Sequence, residues 1–124
     1  MNLCQDYLAT RGISDATVKL YSLELDDRLD PNIVKVRLGR GCPKGTLEIL
    51  WCPLFDAQGT VYSYTARILP TIANTPKFLC PINSGGPPYV PKTVRDLALG
   101  QPVIITEGPI KALACVQAGC AATA

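Results

Sequence analysis

Near the end of the chain stands Pro102-Val-Ile-Ile-Thr-Glu107-Gly108-Pro109-Ile-Lys111-Ala-Leu-Ala-Cys-Val-Gln-Ala118-Gly119. Val103 to Thr106 is a short apolar run rich in β-branched residues, the pattern of a buried strand. A carboxylate and a glycine follow, and then apolar residues recur with a helical period. Pro109 suits the first turn of that helix, where its missing N–H leaves nothing unbonded. Gly119 suits its end, where a left-handed residue closes the last turn. The strand therefore delivers Glu107 to a tight strand-to-helix turn at the carboxyl edge of a sheet, where open α/β sheets place their ligands. The plainer role for Glu107 is to favour the positive end of the helix dipole. An ionisable group on such a turn is a candidate for chemistry.

Working outward, the bulk properties set limits. A chain of 124 residues supports one modest core. With 48% hydrophobic and 18% charged residues, the composition is that of a globular protein. No apolar run approaches the roughly 20 residues of a spanning helix. The first residues, Met-Asn-Leu-Cys-Gln-Asp-Tyr, lack the basic and apolar regions of a signal peptide, so a cytoplasmic location without membrane contact is expected. A formal charge of +2 is too small to argue for nucleic-acid binding, which would need locally clustered Lys and Arg. The six cysteines form no Cys-x-x-Cys pair and the chain has no histidine, which argues against a structural zinc site. Most of the cysteines lie in apolar runs and read as small buried hydrophobes.

Residues 2 to 11 carry Leu3, Tyr7 and Leu8 at helical spacing, with Gly12 as the stop. Ser14 or Asp15 caps a second short helix through Tyr21. Without a basic recognition face, the pair reads as a packing unit rather than a DNA-binding helical motif. Leu23 to Asp30 is acidic and ambiguous, and Pro31 ends it. Asn32 to Leu38 reads as a strand on the β-branched Ile33, Val34 and Val36. Gly39 to Gly45 is a basic loop that lacks the Gly-Lys-Ser/Thr ending of a phosphate cradle. Thr46 to Leu54 and Thr60 to Leu69 are two strands joined by the turn Asp56-Ala-Gln-Gly59. Residues 70 to 92 hold many of the eleven prolines and form a connection without regular structure. Within it, Lys77 and Phe78 set a cation beside an aromatic ring, a pairing that can hold a backbone and stack a base. Its plainer alternative is a packed ring with the lysine in water. Thr93 to Leu99 fits a helical turn or two. The fold class is thus α/β (α+β): short amino-terminal helices, a small and mainly antiparallel sheet, then a strand–helix unit.

The run Val-Ile-Ile-Thr-Glu107-Gly108 before a helix resembles the opening motif of TOPRIM domains, the catalytic fold of bacterial-type DNA primases and topoisomerases. Three further segments stand in the order of the primase branch. Tyr7-Leu-x-x-Arg11-Gly12-Ile13-Ser14 looks like the start of the primase polymerase region. Gly59-x-Val-x-x-x-x-Ala-Arg67 looks like its strand ending in a basic residue. Pro76-Lys77-Phe78-Leu79, with Tyr89 after a variable loop, looks like its Pro-Lys-Tyr-Leu segment. Glu107-Gly108-Pro109-Ile110-Lys111-Ala112-Leu113 is similar to the Glu-Gly-x-x-Lys-Ala-Leu of TOPRIM-like domains in phage and plasmid replication proteins. On this resemblance, residues 1–92 are a primase-like amino-terminal subdomain and residues 93–124 the start of an incomplete TOPRIM-like domain.

The resemblance implies phosphoryl transfer, in which the protein chiefly positions groups and stabilises charge. Glu107 would be the catalytic and metal-positioning carboxylate, while Arg67, Lys77, Phe78 and Lys111 would bind nucleic acid or phosphate. Mg2+ would be held by a downstream Asp-x-Asp together with nucleotide phosphates. The partners implied are single-stranded DNA or RNA and nucleotides. Two departures bear on catalysis. Replicative primases carry an acidic residue four positions after the glutamate, where this chain has Lys111, and no Asp or Glu follows Glu107. Cys120 to Ala124 looks like the start of the next strand. The expectation is therefore a fragment, a truncated product, or a chain whose sheet is completed by a downstream segment or a second copy. Such a chain would be inactive as a nucleotidyltransferase by itself. A non-catalytic mobile-element regulator or interaction module on a primase-like scaffold is the alternative.

Overall fold

The computed structural model of the chain describes residues 2–91, 94 and 100–124. Its elements run α1 (Leu3–Thr10), α2 (Asp15–Leu20), β1 (Glu24–Asp26), α3 (Pro31–Leu38), β2 (Glu48–Phe55), β3 (Val61–Leu69) and β4 (Phe78–Leu79). After these come β5 (Ile104–Ile105), α4 (Pro109–Gln117) and β6 (Ala122–Thr123). The helical turn read at Thr93 to Leu99 lies outside the described residues. Strands β1-β2-β3-β4 form one antiparallel sheet in that order, and β5 and β6 form a separate parallel pair. The fold is the α/β (α+β) arrangement that the sequence indicates, with a mainly antiparallel sheet. No helix among the described residues is long and apolar enough to cross a membrane.

β2 is buried along its whole length because both faces of the sheet are covered. Side chains alternate across a strand, and the two faces build two cores. Leu50, Cys52 and Leu54 point to one side, where they join Leu8 of α1 and Ile110 and Leu113 of α4. Ile49 and Trp51 point to the other, with Ala66 and Ile68 of β3, beneath Val34 and Leu38 of α3. Leu50 stands opposite Arg67, which in turn stands opposite Phe78. Directly opposed residues share a face, so the register carries Arg67 and Phe78 to the α1–α4 side.

Several boundaries follow the local chemistry read from the sequence. Gly12 takes φ +71 after α1, and the Ser14 Oγ accepts the Thr17 N–H at 3.2 Å to start α2. Asp56 Oδ1 accepts the N–H groups of Gln58 and Thr60, both at 2.9 Å, closing the β2–β3 turn. Pro109 opens α4, and Gly119 at φ +97 follows it. Beyond, Cys120 N–H reaches back to the Cys115 carbonyl at 2.9 Å, and Ala122 and Thr123 form the expected next strand.

The connection at residues 70–92, expected to lack regular structure, contributes β4 because Phe78–Leu79 pair with Arg67 and Ala66 of β3, and of the six cysteines read as mostly buried only Cys4 and Cys52 are buried. Two further expectations fail. Asn32 to Leu38 is helix, not strand. Asp30 Oδ1 accepts the Asn32 N–H at 2.9 Å, Pro31 occupies the first turn, and Gly39 at φ +73 ends the helix. These end signals outweigh the weak β preference of Ile33, Val34 and Val36. Val34 and Leu38 then fall on one face and are buried, while Val36 is 84% exposed. The second failure concerns burial. The run expected as a buried strand, Val103 to Thr106, gives only Ile104 and Ile105 as strand, and Ile105 is 83% exposed. A parallel strand is buried when helices cover both faces. Among the described residues β5 pairs with β6 alone and packs against α4, leaving apolar side chains open. Tyr89 pairs with Ala124 through reciprocal backbone hydrogen bonds, tying the long connection to the strand β6.

Candidate nucleic-acid and phosphate site

The face of the sheet that carries Arg67 meets α1 and α4 around a cavity of about 340 Å³. Helix α1 supplies Tyr7, and Arg11, which caps its end, stands one helical turn on and therefore on the same side. Strand β3 supplies Arg67, and the start of β4 supplies Lys77 and Phe78. Glu107 and Gly108 come from the turn after β5, and Ile110, Lys111 and Ala114 from α4. The five residues singled out from the sequence, Arg67, Lys77, Phe78, Glu107 and Lys111, thus line one pocket. Phe78 is half-buried beside the core rather than free in a loop.

Arg67 is the unusual member. It is only 4% exposed. Its guanidinium lies between two rings, with Cζ 4.7 Å from the Tyr7 centroid and 5.6 Å from that of Phe78. Nη2 donates to Thr71 Oγ1 at 3.2 Å, while Nε and Nη1 are shut off from solvent with no hydrogen-bond partner. Buried arginines are usually paired with an acid. The pocket's carboxylate is Glu107, and it is engaged elsewhere. Lys111 Nζ donates to Glu107 Oε1 at 2.7 Å, an i,i+4 ion pair at the surface. The Lys111 hydrogen bond, then its charge, and further off the charge of Lys77 hold the Glu107 carboxyl below its usual value. Arg11 lies over the same Tyr7 ring, its Cζ 5.4 Å from the centroid. Among the described residues, four cations and one carboxylate therefore line the pocket, an excess of three positive charges.

The helices that frame this pocket are held by two residues that the sequence does not advertise. Glu48, the first residue of β2, is 3% exposed. Its two carboxylate oxygens accept the N–H groups of Leu3 (3.1 Å) and Cys4 (3.0 Å), the free donors at the start of α1. Asn2 makes no side-chain cap, so the strand caps the helix. Burial raises the Glu48 carboxyl, but the N–H groups of Cys4 and Leu3 together with the Cys4 thiol bring it below its usual value. Burial, with Glu48 beside it, pushes the Cys4 thiol up to about 12. Gln117, the last residue of α4, makes three hydrogen bonds, two to the α1–α2 turn and one to the first turn of α2. Its Nε2 donates to the Gly12 carbonyl at 2.7 Å, and its Oε1 accepts from Ser14 N–H at 2.8 Å and Thr17 Oγ1 at 2.7 Å. Tyr7 and Arg11 were legible only as part of a motif. Their spacing on one helix face was the available signal.

The donor set also bears on magnesium, which the resemblance implies. Mg2+ demands oxygen ligands and is bound through one or two carboxylates plus substrate phosphates. Among the described residues no group of three or more His, Cys, Asp or Glu could hold a metal ion. Glu107 is a single carboxylate already bonded to an ammonium, so the described residues do not fit a resident divalent cation.

No family model and no curated protein matches the sequence. Solved structures do match in fold. One described as the DnaG catalytic core superposes with a TM-score of 0.68 at 21% identity, covering 97% of this chain and 46% of that one. The E. coli primase catalytic core gives a TM-score of 0.66 at 20% identity, covering 97% of this chain and 46% of that one. A DnaG primase catalytic domain bound to single-stranded DNA gives 0.65 at 20% identity, with coverage of 97% and 45%. The chain has a primase-core fold and spans somewhat under half the length of these structures.

Proposed function

We propose that this chain is part of a primase-like replication protein of the phage and plasmid type, and that its pocket binds the phosphates of single-stranded nucleic acid or nucleotides. The observation that carries this reading is Arg67, a buried cation with two unpartnered nitrogens in a pocket of four cations and one occupied carboxylate. An unpaired buried charge is costly, and a phosphate entering beside the Tyr7 and Phe78 rings supplies the missing countercharge. The rings offer faces on which a base stacks. Support also comes from the neighbour whose catalytic domain was solved with single-stranded DNA. The chain binds but does not synthesise primers by itself, because phosphoryl transfer of this kind needs metal-held phosphates and the residues present do not fit the metal.

Titrating a fluorescein-labelled oligothymidylate across a range of NaCl concentrations tests the binding. Lys77→Ala and Arg11→Ala, both at exposed positions, are each expected to weaken binding and to lower the salt slope by about one. Binding that ignores both substitutions and ionic strength rejects the phosphate reading. It would favour the alternative interaction module acting on a protein. Primer synthesis by the 124-residue chain with magnesium rejects the claim of inactivity.

A further inference from the structure

We propose that Lys111 acts as a built-in counter-cation, so that the pocket takes a phosphate-bearing polyanion without a divalent metal ion. This rests on the phosphate reading above and specifies how the charge is balanced.

The position beside Glu107 is where a divalent cation would have to sit, since among the described residues Glu107 is the one carboxylate lining the pocket. That position is filled by the chain itself. Glu107 precedes α4 and Lys111 lies in its first turn, and the i,i+4 spacing brings ammonium and carboxylate to 2.7 Å. A dication at the same oxygen would first displace the ammonium. It would then stand in a pocket that also contains Arg11, Arg67 and Lys77. The ammonium is a compact cation with three donors, so it bonds Glu107 and still has donors for a ligand oxygen. With Glu107 neutralised, the excess of three positive charges is directed at the ligand. A single phosphate monoester carries less charge than this. The site therefore fits a ligand with several phosphates, such as a stretch of nucleic-acid backbone or a polyphosphate.

The test compares binding of a labelled twelve-nucleotide oligothymidylate in EDTA and in Mg2+, at matched ionic strength, for the full chain and for Lys111→Asp. In the full chain, magnesium is expected to change the affinity by less than about threefold, and in the weakening direction, because it competes as a counterion. Lys111→Asp is expected to bind about tenfold or more weakly in EDTA and to recover severalfold with magnesium, since it exchanges a cation for a second carboxylate. Free Mn2+ followed by electron paramagnetic resonance gives a ligand-independent reading. The full chain is expected to show no stoichiometric site tighter than about 1 mM, and Lys111→Asp to show one. A Mn2+ site on the full chain, tightening of oligonucleotide binding by magnesium, or a Lys111→Asp protein indifferent to metal overturns the inference alone. Failure of the oligonucleotide to bind under any condition removes the phosphate reading as well.

Discussion

Replacing Glu48 by alanine leaves the first-turn donors of α1 without their acceptor. Two charge-assisted hydrogen bonds disappear, at 3.1 Å to Leu3 and 3.0 Å to Cys4. Hydrogen bonds to a charged group contribute about 1.5–3 kcal/mol each. Those contributions are already net of the hydration given up on folding, so the expected destabilisation is about 3–6 kcal/mol, above the ~1 kcal/mol typical of a lost surface cap. Glu48→Gln keeps a carbonyl acceptor without the charge, so about half of that cost is expected. Urea unfolding at neutral pH measures both.

Acid supplies an independent check on the same residue. The Glu48 carboxyl is lowered in the fold relative to its ordinary value of 4.5. Its stabilisation is therefore present in full above the unfolded value and is lost as pH falls through the lower folded value. The wild-type curve should fall across that acidic window, and the gap between wild type and Glu48→Ala should close there. An alanine variant within about 0.5 kcal/mol of wild type at neutral pH, or a gap that persists in acid, would refute the cap. Because α1 carries Tyr7 and Arg11, the same variant should also weaken oligonucleotide binding.

Two further substitutions separate structure from binding. Gln117→Ala removes three hydrogen bonds from α4 to the α1–α2 turn and α2 and is expected to cost about 1–3 kcal/mol by thermal or urea unfolding. Loss of oligonucleotide affinity without a stability change would show that the clamp acts only on the pocket, contrary to this geometry. Arg67→Met should reduce binding at least tenfold while changing stability by no more than about 1 kcal/mol, since the unpartnered Nε and Nη1 leave along with the ring contacts and the Thr71 hydrogen bond. Destabilisation beyond about 3 kcal/mol would make Arg67 a structural residue instead.

What was legible in the sequence depended on how local the determining chemistry is. Gly12, Ser14, Asp56 with Gly59, Pro109 and Gly119 each act on their own turn, and the chain breaks or caps where they stand. Asn32 to Leu38 shows the limit of composition. Its β-branched residues suggest a strand, but Asp30, Pro31 and Gly39 are helix-end signals, and weighing the ends above the middle would have found the helix. The burial of Val103 to Ile105 failed for a different reason. An apolar run shows that a strand is suited to a core, while whether a second helix covers it is decided by the rest of the sheet. Glu48 and Gln117 were illegible in principle. Each satisfies backbone groups far away along the chain, 45 residues off for Leu3 and 105 for Gly12, and a single carboxylate or amide carries no mark of its partner.

The pocket itself shows why residues scattered along the chain become one site. Once β2 and β3 pair with Leu50 opposite Arg67, the alternation of the sheet fixes Arg67 on the side where Leu50 meets α1 and α4. The same register step from β3 to β4 sets Phe78 on that side. A hydrophobic residue at position 67 would have completed the core there, as Leu69 does one pleat away. Arginine instead introduces a buried charge bonded to the neutral Thr71 hydroxyl and flanked by two aromatic rings, ring contacts worth about 0.5–2 kcal/mol each and too weak to replace an acid. Glu107 is the acid the pocket contains, and Lys111 occupies it. The charge on Arg67 is thus left for something that enters from outside, and the arrangement gains its countercharge only when an anion is bound.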